Sequence, residues 1–257
     1  MTSTQTTSTA RYPRIPLKRM DAALLSFELL AEITSDGPGE REMVVSAAQV
    51  AALLHEGQTR QARGPLERTP YIEHPMRVAL RVRRWGLRDA GLTTAALLHD
   101  TVEDCASRYA SQLAVKEAPA AWLARAYGDR VAATVQAVTN EAARPSPEDY
   151  MAKIEAIASN EDDWPLLVKA SDMVDNAGSL SHQYGRAPDS MVRKLASKYA
   201  PALPVLREAL VSRGHEVPAL HLERVEAAVL ALRGHIKAAD RAAEQTSNEH
   251  SQRSPGE

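Results

Sequence analysis

Apolar residues recur through most of this chain at the three- and four-residue spacing of amphipathic helices. No stretch of alternating apolar and polar residues is long enough to predict a strand. The spacing, with a break at Gly128 and a helix start at Pro165, predicts helices over residues 19–34, 40–56, 74–85, 92–105, 119–127, 130–138, 148–157, 165–180, 190–213 and 218–239. The pattern therefore predicts an all-α fold, compact and built as one domain.

The two ends of the chain lack this periodicity. Residues 1–16 are rich in Ser and Thr and contain two prolines, and residues 240–257 are polar and aperiodic. Segments of this kind have too little apolar surface to pack into a core. We expect a disordered arm and a disordered tail on either side of a helical domain over 17–239, with the motifs described below between about 40 and 185.

Composition fits a helical protein and narrows the class of partner. Hydrophobic residues make up 44% of the 257 residues and aromatic residues only 4%, a mixture dominated by Ala and Leu that favours helices over strands. With 31 basic and 33 acidic residues, the net charge of −2 gives no long-range attraction for nucleic acid. No apolar run approaches the ~20 residues of a membrane helix. The N-terminus lacks a secretory signal, and the single Cys105 suits a reducing compartment. We expect a cytoplasmic protein.

The clearest candidate for chemistry is the segment AALLHDTVEDC, residues 95–105. An apolar helical stretch runs directly into His99, Asp100, Glu103 and Asp104. Burying charged groups costs free energy unless they are paired or bind a metal. On one continuous helix, His99 shares a face with Glu103, and Asp100 with Asp104. Imidazole and carboxylate ligands suit a divalent Mn, Fe or Zn ion.

Two other segments supply the ligands that this stretch lacks. TPYIEHP places His74 at a helix start, and LLVKASDMVDN places Asp172 after another apolar run, with Asn176 one turn later. His74, His99, Asp100 and Asp172 together form an incomplete shell with room for water and a phosphate oxygen. A metal in such a shell lowers the pKa of water and polarises phosphorus.

These motifs resemble a known family. The order His, His-Asp, distant Asp is similar to that of the HD superfamily of metal phosphohydrolases. The surrounding sequence motifs resemble the hydrolase domain of the RelA/SpoT family, and TPYIEHP is especially similar to the small stand-alone (p)ppGpp hydrolases. These motifs are HEGQTR (55–60), TPYIEHP (69–75), AALLHDTVED (95–104), AVTN (137–140) and LVKASDMVDN (167–176).

The resemblance implies a role for each matching position. It implies that Mn2+, with Fe2+ or Zn2+ as alternatives, is held by four ligands: His74, His99, Asp100 and Asp172. It implies that Glu103 and Asp104 orient or activate the attacking water. It further implies that a guanosine nucleotide contacts Arg60, Asn176 and Ser179. The implied reaction cleaves the bond between the ribose 3′ oxygen and the diphosphate of (p)ppGpp, giving GDP or GTP and pyrophosphate.

The chain departs from the family pattern near the expected nucleotide pocket. Gln61, Met173 and Asn140 stand where a basic residue is frequent, and Asp175 adds a negative charge. These departures weaken the substrate assignment more than the catalytic one. They keep open an HD phosphatase that acts on NADPH or a mononucleotide, and a non-catalytic nucleotide sensor or antitoxin-like regulator. Because a sensor has no need to activate water, Glu103 and Asp104 argue against the last alternative.

Three remaining features are interpreted without a catalytic role. The basic segment 77–88 is expected to form a solvated helix face, His55 to pack or cap its helix, and Cys105 to be a small buried residue. Formation of a homo-oligomer stays open on the sequence alone.

Overall fold

A computed structural model of the chain describes residues 15–60, 69–141, 145–187 and 189–252, with 247–252 described by their backbone only. The expected disordered arm lies outside these ranges except for Ile15 and Pro16. The helices are a 3₁₀ turn at Leu17–Arg19 and then α1 (Ala22–Glu32), α2 (Pro38–Leu54), α3 (Glu73–Arg84), α4 (Ala90–Leu98), α5 (Thr101–Leu113), α6 (Pro119–Tyr127), α7 (Asp129–Val138), α8 (Pro147–Ser159), α9 (Asp163–Ala177), α10 (Leu180–Gln183), α11 (Asp189–Ser212) and α12 (Glu216–Gln252). Within the described ranges, β-type pairing is limited to one isolated bridge between Thr59 and Pro70. The prediction of an all-α fold is confirmed.

Helix α4 lies at the centre of the fold. Every residue from Leu92 to Leu98 is buried, as expected for a short helix that is apolar on all sides. It packs against α2, α3, α7 and α9. Helices α3 and α9, which pack against each other as well, are also buried along most of their length. The candidate site lies where these three buried helices meet.

Local signals explain where several helices begin. Asp89 caps α4 by accepting a hydrogen bond from the Leu92 N–H at 3.0 Å, and Ser146 caps α8 in the same way. Such caps satisfy backbone donors that have no partner inside the helix. Gly128 separates α6 from α7 with a φ of 96°, a backbone conformation that favours glycine.

The predicted helix over 92–105 is instead two helices, α4 and α5. The chain turns at His99 and Asp100, and Asp100 occupies the N-cap position of α5. The Thr101 hydroxyl donates to the Leu98 carbonyl at 2.7 Å, a local bond that competes with the regular helical ladder. The expectation that His99 and Glu103 share the face of one helix is therefore wrong.

The last helix is longer than its periodicity predicts. Helix α12 continues past Ala239 to Gln252. Residues 240–252 contain no Gly or Pro, and extending an existing helix adds one hydrogen bond for each residue fixed. The backbone of 240–252 is thus helical, where the sequence predicts a disordered tail.

The basic segment 77–88 is not a solvated face. Arg77, Arg81 and Arg83 in α3 are 4%, 8% and 1% exposed. Arg83 donates to the Asp36 carboxylate at 2.7 Å and to the Glu32 carbonyl at 2.9 Å. The expectation fails because buried partners neutralise these guanidinium groups, and those of Arg77 and Arg81 belong to the candidate site.

Among the described helices, none combines the length and the apolar character needed to cross a membrane.

Candidate metal centre

The four predicted metal ligands come from three segments of the chain and meet in one place. His74 lies in the first turn of α3, His99 and Asp100 lie between α4 and α5, and Asp172 lies within α9. His74 Nε2 is 3.2 Å from Asp172 Oδ1 and 3.3 Å from Asp100 Oδ2. His99 Nε2 is 3.1 Å from Asp100 Oδ1 and 3.9 Å from Asp172 Oδ1.

The hydrogen bonds of His74 fix which ring nitrogen faces this cluster. His74 Nδ1 lies 2.8 Å from Asp175 Oδ2. Burial raises the pKa of Asp175, but the bond with His74 and the charges of Lys18 and Arg81 lower it well below its ordinary value. The ionised carboxylate only accepts hydrogen bonds, so Nδ1 carries the proton. The Nε2 atom then points at Asp100 and Asp172, an arrangement common for histidines that bind metals.

His99 is oriented by its own backbone. Its Nδ1 donates to the Ala96 carbonyl at 2.9 Å, because a carbonyl oxygen only accepts. Its Nε2 is buried and, among the described residues, has no partner with hydrogen-bond geometry, although Asp100 Oδ1 lies 3.1 Å away. A buried imidazole nitrogen without a hydrogen bond costs free energy, and a metal ion at this point would remove that cost. The chemistry of the donor set fits a divalent cation, since ligand atoms of His74, His99 and Asp172 all lie within 4.8 Å of one another.

The two carboxylates are each held by a neighbouring polar side chain. The Tyr71 hydroxyl donates to Asp100 Oδ2 at 2.8 Å. Lys169 Nζ donates to Asp172 Oδ2 at 2.9 Å, and Asn176 Nδ2 donates to Asp172 Oδ1. Burial raises the pKa of Asp172, but Lys169 and then His74 outweigh it and hold that pKa below its ordinary value. Burial also raises the pKa of Asp100, but the charge of His99 and the bond with His74 hold it well below its ordinary value. Both carboxylates are thus ionised near neutral pH, as metal ligands must be.

The carboxylates also change the titration of His74. Burial and the nearby Arg60 lower the pKa of this imidazole, but the bonds with Asp100, Asp172 and Asp175 outweigh them and raise it to about 9. Without a metal, His74 is therefore protonated near neutral pH. A cation that binds to Nε2 replaces that proton.

Glu103 and Asp104 lie on the first turn of α5 but differ in environment. Glu103 is partly buried, and both its carboxylate oxygens accept hydrogen bonds from Asn140, at 2.9 Å from the backbone N–H and at 3.0 and 3.1 Å from Nδ2. Burial raises the pKa of Glu103, and the bonds from Asn140 offset only part of this. Asp104 is exposed at the residue level, and burial of its carboxyl group together with the charge of Asp100 raises its pKa.

Asp175, one residue before Asn176, is the centre of a buried charge cluster. Its side chain has an exposed fraction of 0%. Within the described residues it contacts these cationic side chains: Lys18, Arg60, His74, Arg77 and Arg81. Its single negative charge is more than neutralised. The expectation that Asp175 makes the site more negative is therefore wrong.

The predicted nucleotide contacts are only partly brought together. Arg60 donates to Asp175 Oδ2 at 3.0 Å and to the Asn176 side-chain oxygen, so Arg60, Asn176 and Asp172 form a hydrogen-bonded chain that ends at a predicted metal ligand. Ser179 bonds within its own turn, donating to the Asn176 carbonyl at 3.3 Å and accepting from Gln183 at 3.2 Å. Gln61 lies outside the described residues.

Two side chains that hydrogen-bond to the predicted metal ligands, Tyr71 and Lys169, are not among the predicted site residues. Tyr71 stacks on His55 with ring centroids 4.6 Å apart, and His55 is buried as expected. Tyr71 stands inside the word TPYIEHP, and Lys169 stands three residues before Asp172, so both could have been found from their spacing to a ligand. Cys105 is buried as expected.

Comparison with known proteins points to one family. No family model matches the chain. The chain is 32% identical over 143 residues to the human guanosine-3′,5′-bis(diphosphate) 3′-pyrophosphohydrolase MESH1, covering 55% of this chain and 72% of the human protein. The chain belongs to the guanosine-3′,5′-bis(diphosphate) 3′-pyrophosphohydrolase family.

Other members of this family share shorter or proportionally smaller regions. The Aquifex aeolicus pyrophosphohydrolase is 33% identical over 157 residues, which are 60% of this chain and 20% of that protein. The Xenopus tropicalis MESH1 is 44% identical over 63 residues, which are 24% of this chain and 34% of that protein. The chain thus spans only about a fifth of the first of these relatives and about a third of the second.

A solved structure supports the fold. It is that of a metazoan ortholog of SpoT that hydrolyzes ppGpp and plays a role in starvation responses. The superposition covers 75% of this chain and 96% of that one, with a TM-score of 0.55 and 24% sequence identity. At this identity the likeness concerns the all-α pyrophosphohydrolase fold alone.

Proposed function

We propose that this chain is a divalent-metal-dependent phosphohydrolase that converts (p)ppGpp to GDP or GTP and pyrophosphate. The observation that carries the proposal is the convergence of two buried imidazole Nε2 atoms with the carboxylates of Asp100 and Asp172. In a family of 3′-pyrophosphohydrolases, that convergence supports the same chemistry for this chain.

The four side chains would hold one ion through two nitrogens and two or more oxygens. This donor set suits Mn2+, Fe2+ and Zn2+, and Mn2+ is the ion we propose. A bound divalent ion lowers the pKa of a coordinated water and polarises a phosphorus centre. The protein's own contribution is orientation: Asp175 sets the His74 tautomer, the Ala96 carbonyl sets that of His99, and Tyr71 holds Asp100.

Glu103 and Asp104 are proposed to position the attacking water and to accept its proton. A carboxylate whose pKa is raised is a better proton acceptor, because its pKa then lies closer to the pH at which the enzyme works. Burial raises the pKa of both groups. Asn140 holds Glu103 in a fixed orientation through bonds to both oxygens.

The substrate is proposed to be a small guanosine nucleotide that contacts Arg60, Asn176 and Ser179. The support is strongest for Arg60 and Asn176, since they are bonded to each other and Asn176 is bonded to the metal ligand Asp172. A guanidinium group in a fixed position suits a phosphate or a guanine edge.

A substrate panel tests this proposal. Purified protein with Mn2+ is assayed against ppGpp, pppGpp, NADPH and GMP, with Asp172→Ala as the inactive control. We expect turnover of ppGpp and pppGpp, no turnover in the control, and retained helix content in that variant. Consumption of NADPH without turnover of ppGpp would replace the proposed substrate. Binding of ppGpp without any turnover would indicate a nucleotide sensor.

A further inference from the structure

Tyr150 in α8 has a buried hydroxyl that lacks a partner. The residue is 3% exposed, and within the described residues its hydroxyl makes no hydrogen bond. Helix α8, which carries Tyr150, packs against α9, the helix of Lys169 and Asp172. A buried hydroxyl without a hydrogen bond is costly and uncommon in folded proteins. The hydroxyl is therefore suited to a ligand atom.

Lys198 in α11 covers the ring of the same tyrosine. Its Nζ lies 4.2 Å from the centroid of the Tyr150 ring. Burial lowers the pKa of this ammonium, and the charge of Lys169 lowers it further. Within the described residues, Lys198 makes ring contacts with Tyr150 and Tyr199 but no ion pair with a carboxylate. A half-buried cation without an ion pair favours an anion as its neighbour.

Lys169 in α9 joins this cluster to the metal centre. Its ammonium donates to Asp172 Oδ2 at 2.9 Å, which uses one of its three N–H donors. Glu103 is the acidic residue on this side, and both its oxygens are occupied by Asn140. Helices α8, α9 and α11 pack against one another. They carry the Tyr150 hydroxyl, which is unpartnered among the described residues, and the ammonium groups of Lys169 and Lys198.

We propose that Tyr150, Lys169 and Lys198 form a phosphate subsite beside the metal centre, which binds a diphosphate group of the nucleotide. This inference rests on the proposed function for the identity of the nucleotide. The subsite places positive charge on α9 and α11, whereas the family resemblance predicts basic residues at positions 61, 140 and 173. It takes a diphosphate because two ammonium groups and one hydroxyl donor can satisfy several phosphate oxygens at once.

Binding measurements test the subsite independently of turnover. The affinities of inorganic pyrophosphate and GDP are measured by calorimetry on Mn2+-loaded protein at one fixed Mn2+ concentration. Lys198→Met retains the stem that packs on the tyrosine ring and should weaken binding of at least one of the two by about ten- to a hundredfold, the range for a lost bond to a charged group. Lys194→Met is the matched control, because it removes an exposed lysine one turn earlier on α11, and it should change affinity less than about twofold.

Tyr150→Phe separates a binding role from a structural one. Removal of an unpartnered hydroxyl should leave the melting temperature of the ligand-free protein unchanged or higher, while it weakens pyrophosphate or GDP binding several-fold. A lower melting temperature with unchanged affinity would overturn the role of Tyr150.

The outcomes distinguish the subsite from the proposed function. Unchanged affinity of both ligands in Lys198→Met, or no binding by the wild-type protein, overturns the subsite even if ppGpp is hydrolysed. Weakened binding in Lys198→Met with no hydrolysis of ppGpp supports the subsite and removes the proposed substrate.

Discussion

At the scale of single residues, the centre depends on which atom of each side chain faces inward. His74 and His99 both direct Nε2 at the carboxylates because their Nδ1 atoms are occupied, by Asp175 in one case and by a backbone carbonyl in the other. The ligand atoms are thereby oriented before any ion binds. This lowers the entropic cost of assembling the site.

Replacement of both acidic residues on α5 by amides tests the division between ligands and water-positioning groups. Glu103→Gln together with Asp104→Asn keeps the side-chain shapes and removes two charges. Turnover of ppGpp should fall by about 10²–10⁴, the usual contribution of general acid–base groups, while metal content stays as in the wild type. Loss of the metal in this variant would make the pair part of the coordination shell. Full activity would exclude both carboxylates from proton transfer.

Metal binding should release protons from the histidines. The pKa of His74 is raised to about 9 from its ordinary value of 6.5. Near neutral pH the ion must therefore displace a proton from this imidazole. Metal affinity should therefore fall as pH decreases below about 9. Calorimetric titration of the metal-free protein with Mn2+ in two buffers of different ionisation enthalpy measures the released protons. We expect at least one proton to be released for each bound ion, and a value of zero would contradict the protonated state of His74.

The same shift predicts how the metal-free fold depends on pH. A folded-state pKa above the unfolded one stabilises the fold fully below the unfolded pKa of 6.5, and this contribution is lost as the pH rises through about 9. The contribution of His74 to the melting temperature of the metal-free protein should accordingly decrease as the pH rises from 6.5 to about 9. Addition of Mn2+ should reverse the decrease, because deprotonated His74 binds the ion.

At the scale of elements, α3 is unusual because it buries arginines as well as apolar side chains. Arg77 and Arg81 pair with Asp175, and Arg83 pairs with Asp36 in the turn between α1 and α2. The guanidinium groups are thus fixed by partners from distant segments. Helix α3 is held in place by charge as well as by apolar packing.

Removal of one partner of the Arg83–Asp36 pair should destabilise the fold. Asp36→Ala leaves the guanidinium of Arg83 buried without its carboxylate, and breaking a buried pair in this way typically costs about 3–5 kcal/mol. Chemical denaturation measures the loss, with the exposed Glu155→Ala as a control expected within about 0.5 kcal/mol of the wild type. The double variant Asp36→Ala, Arg83→Met should regain part of the loss. Equal stability of Asp36→Ala and the wild type would show that solvent already reaches Arg83.

The apolar spacing of the sequence predicts most of the helices, but it does not predict which charged side chains pair between them. Among the predicted ligands, His99, Asp100 and Asp172 stand out because they follow apolar helical stretches, and His74 because it stands at a predicted helix start. The break between α4 and α5 could not be predicted from periodicity, because the apolar spacing continues across Asp100. The carboxylate of Asp175 meets cations that lie about a hundred positions or more earlier in the chain, and a linear pattern does not reveal such pairs.

At the scale of the whole molecule, three buried helices place their ligands at a single point. Helices α3, α4 and α9 pack against one another, and α8 and α11 cover α9 from outside. Helices α3 and α9 supply His74 and Asp172, and the turn that follows α4 supplies His99 and Asp100. The outer two supply Tyr150 and Lys198 of the proposed phosphate subsite, and α9 supplies Lys169. Helix α9 thus belongs both to the candidate metal centre and to the proposed substrate contacts.

Identifying the products formed from ppGpp is the most direct test of the proposed reaction. Mn2+-loaded protein is incubated with ppGpp, and the reaction is followed by phosphorus NMR beside the Asp172→Ala variant. We expect GDP and pyrophosphate to appear together in equal amounts, and neither to appear with the variant. Orthophosphate as the only phosphorus product, or the same turnover in Asp172→Ala as in the wild type, would contradict the proposed reaction.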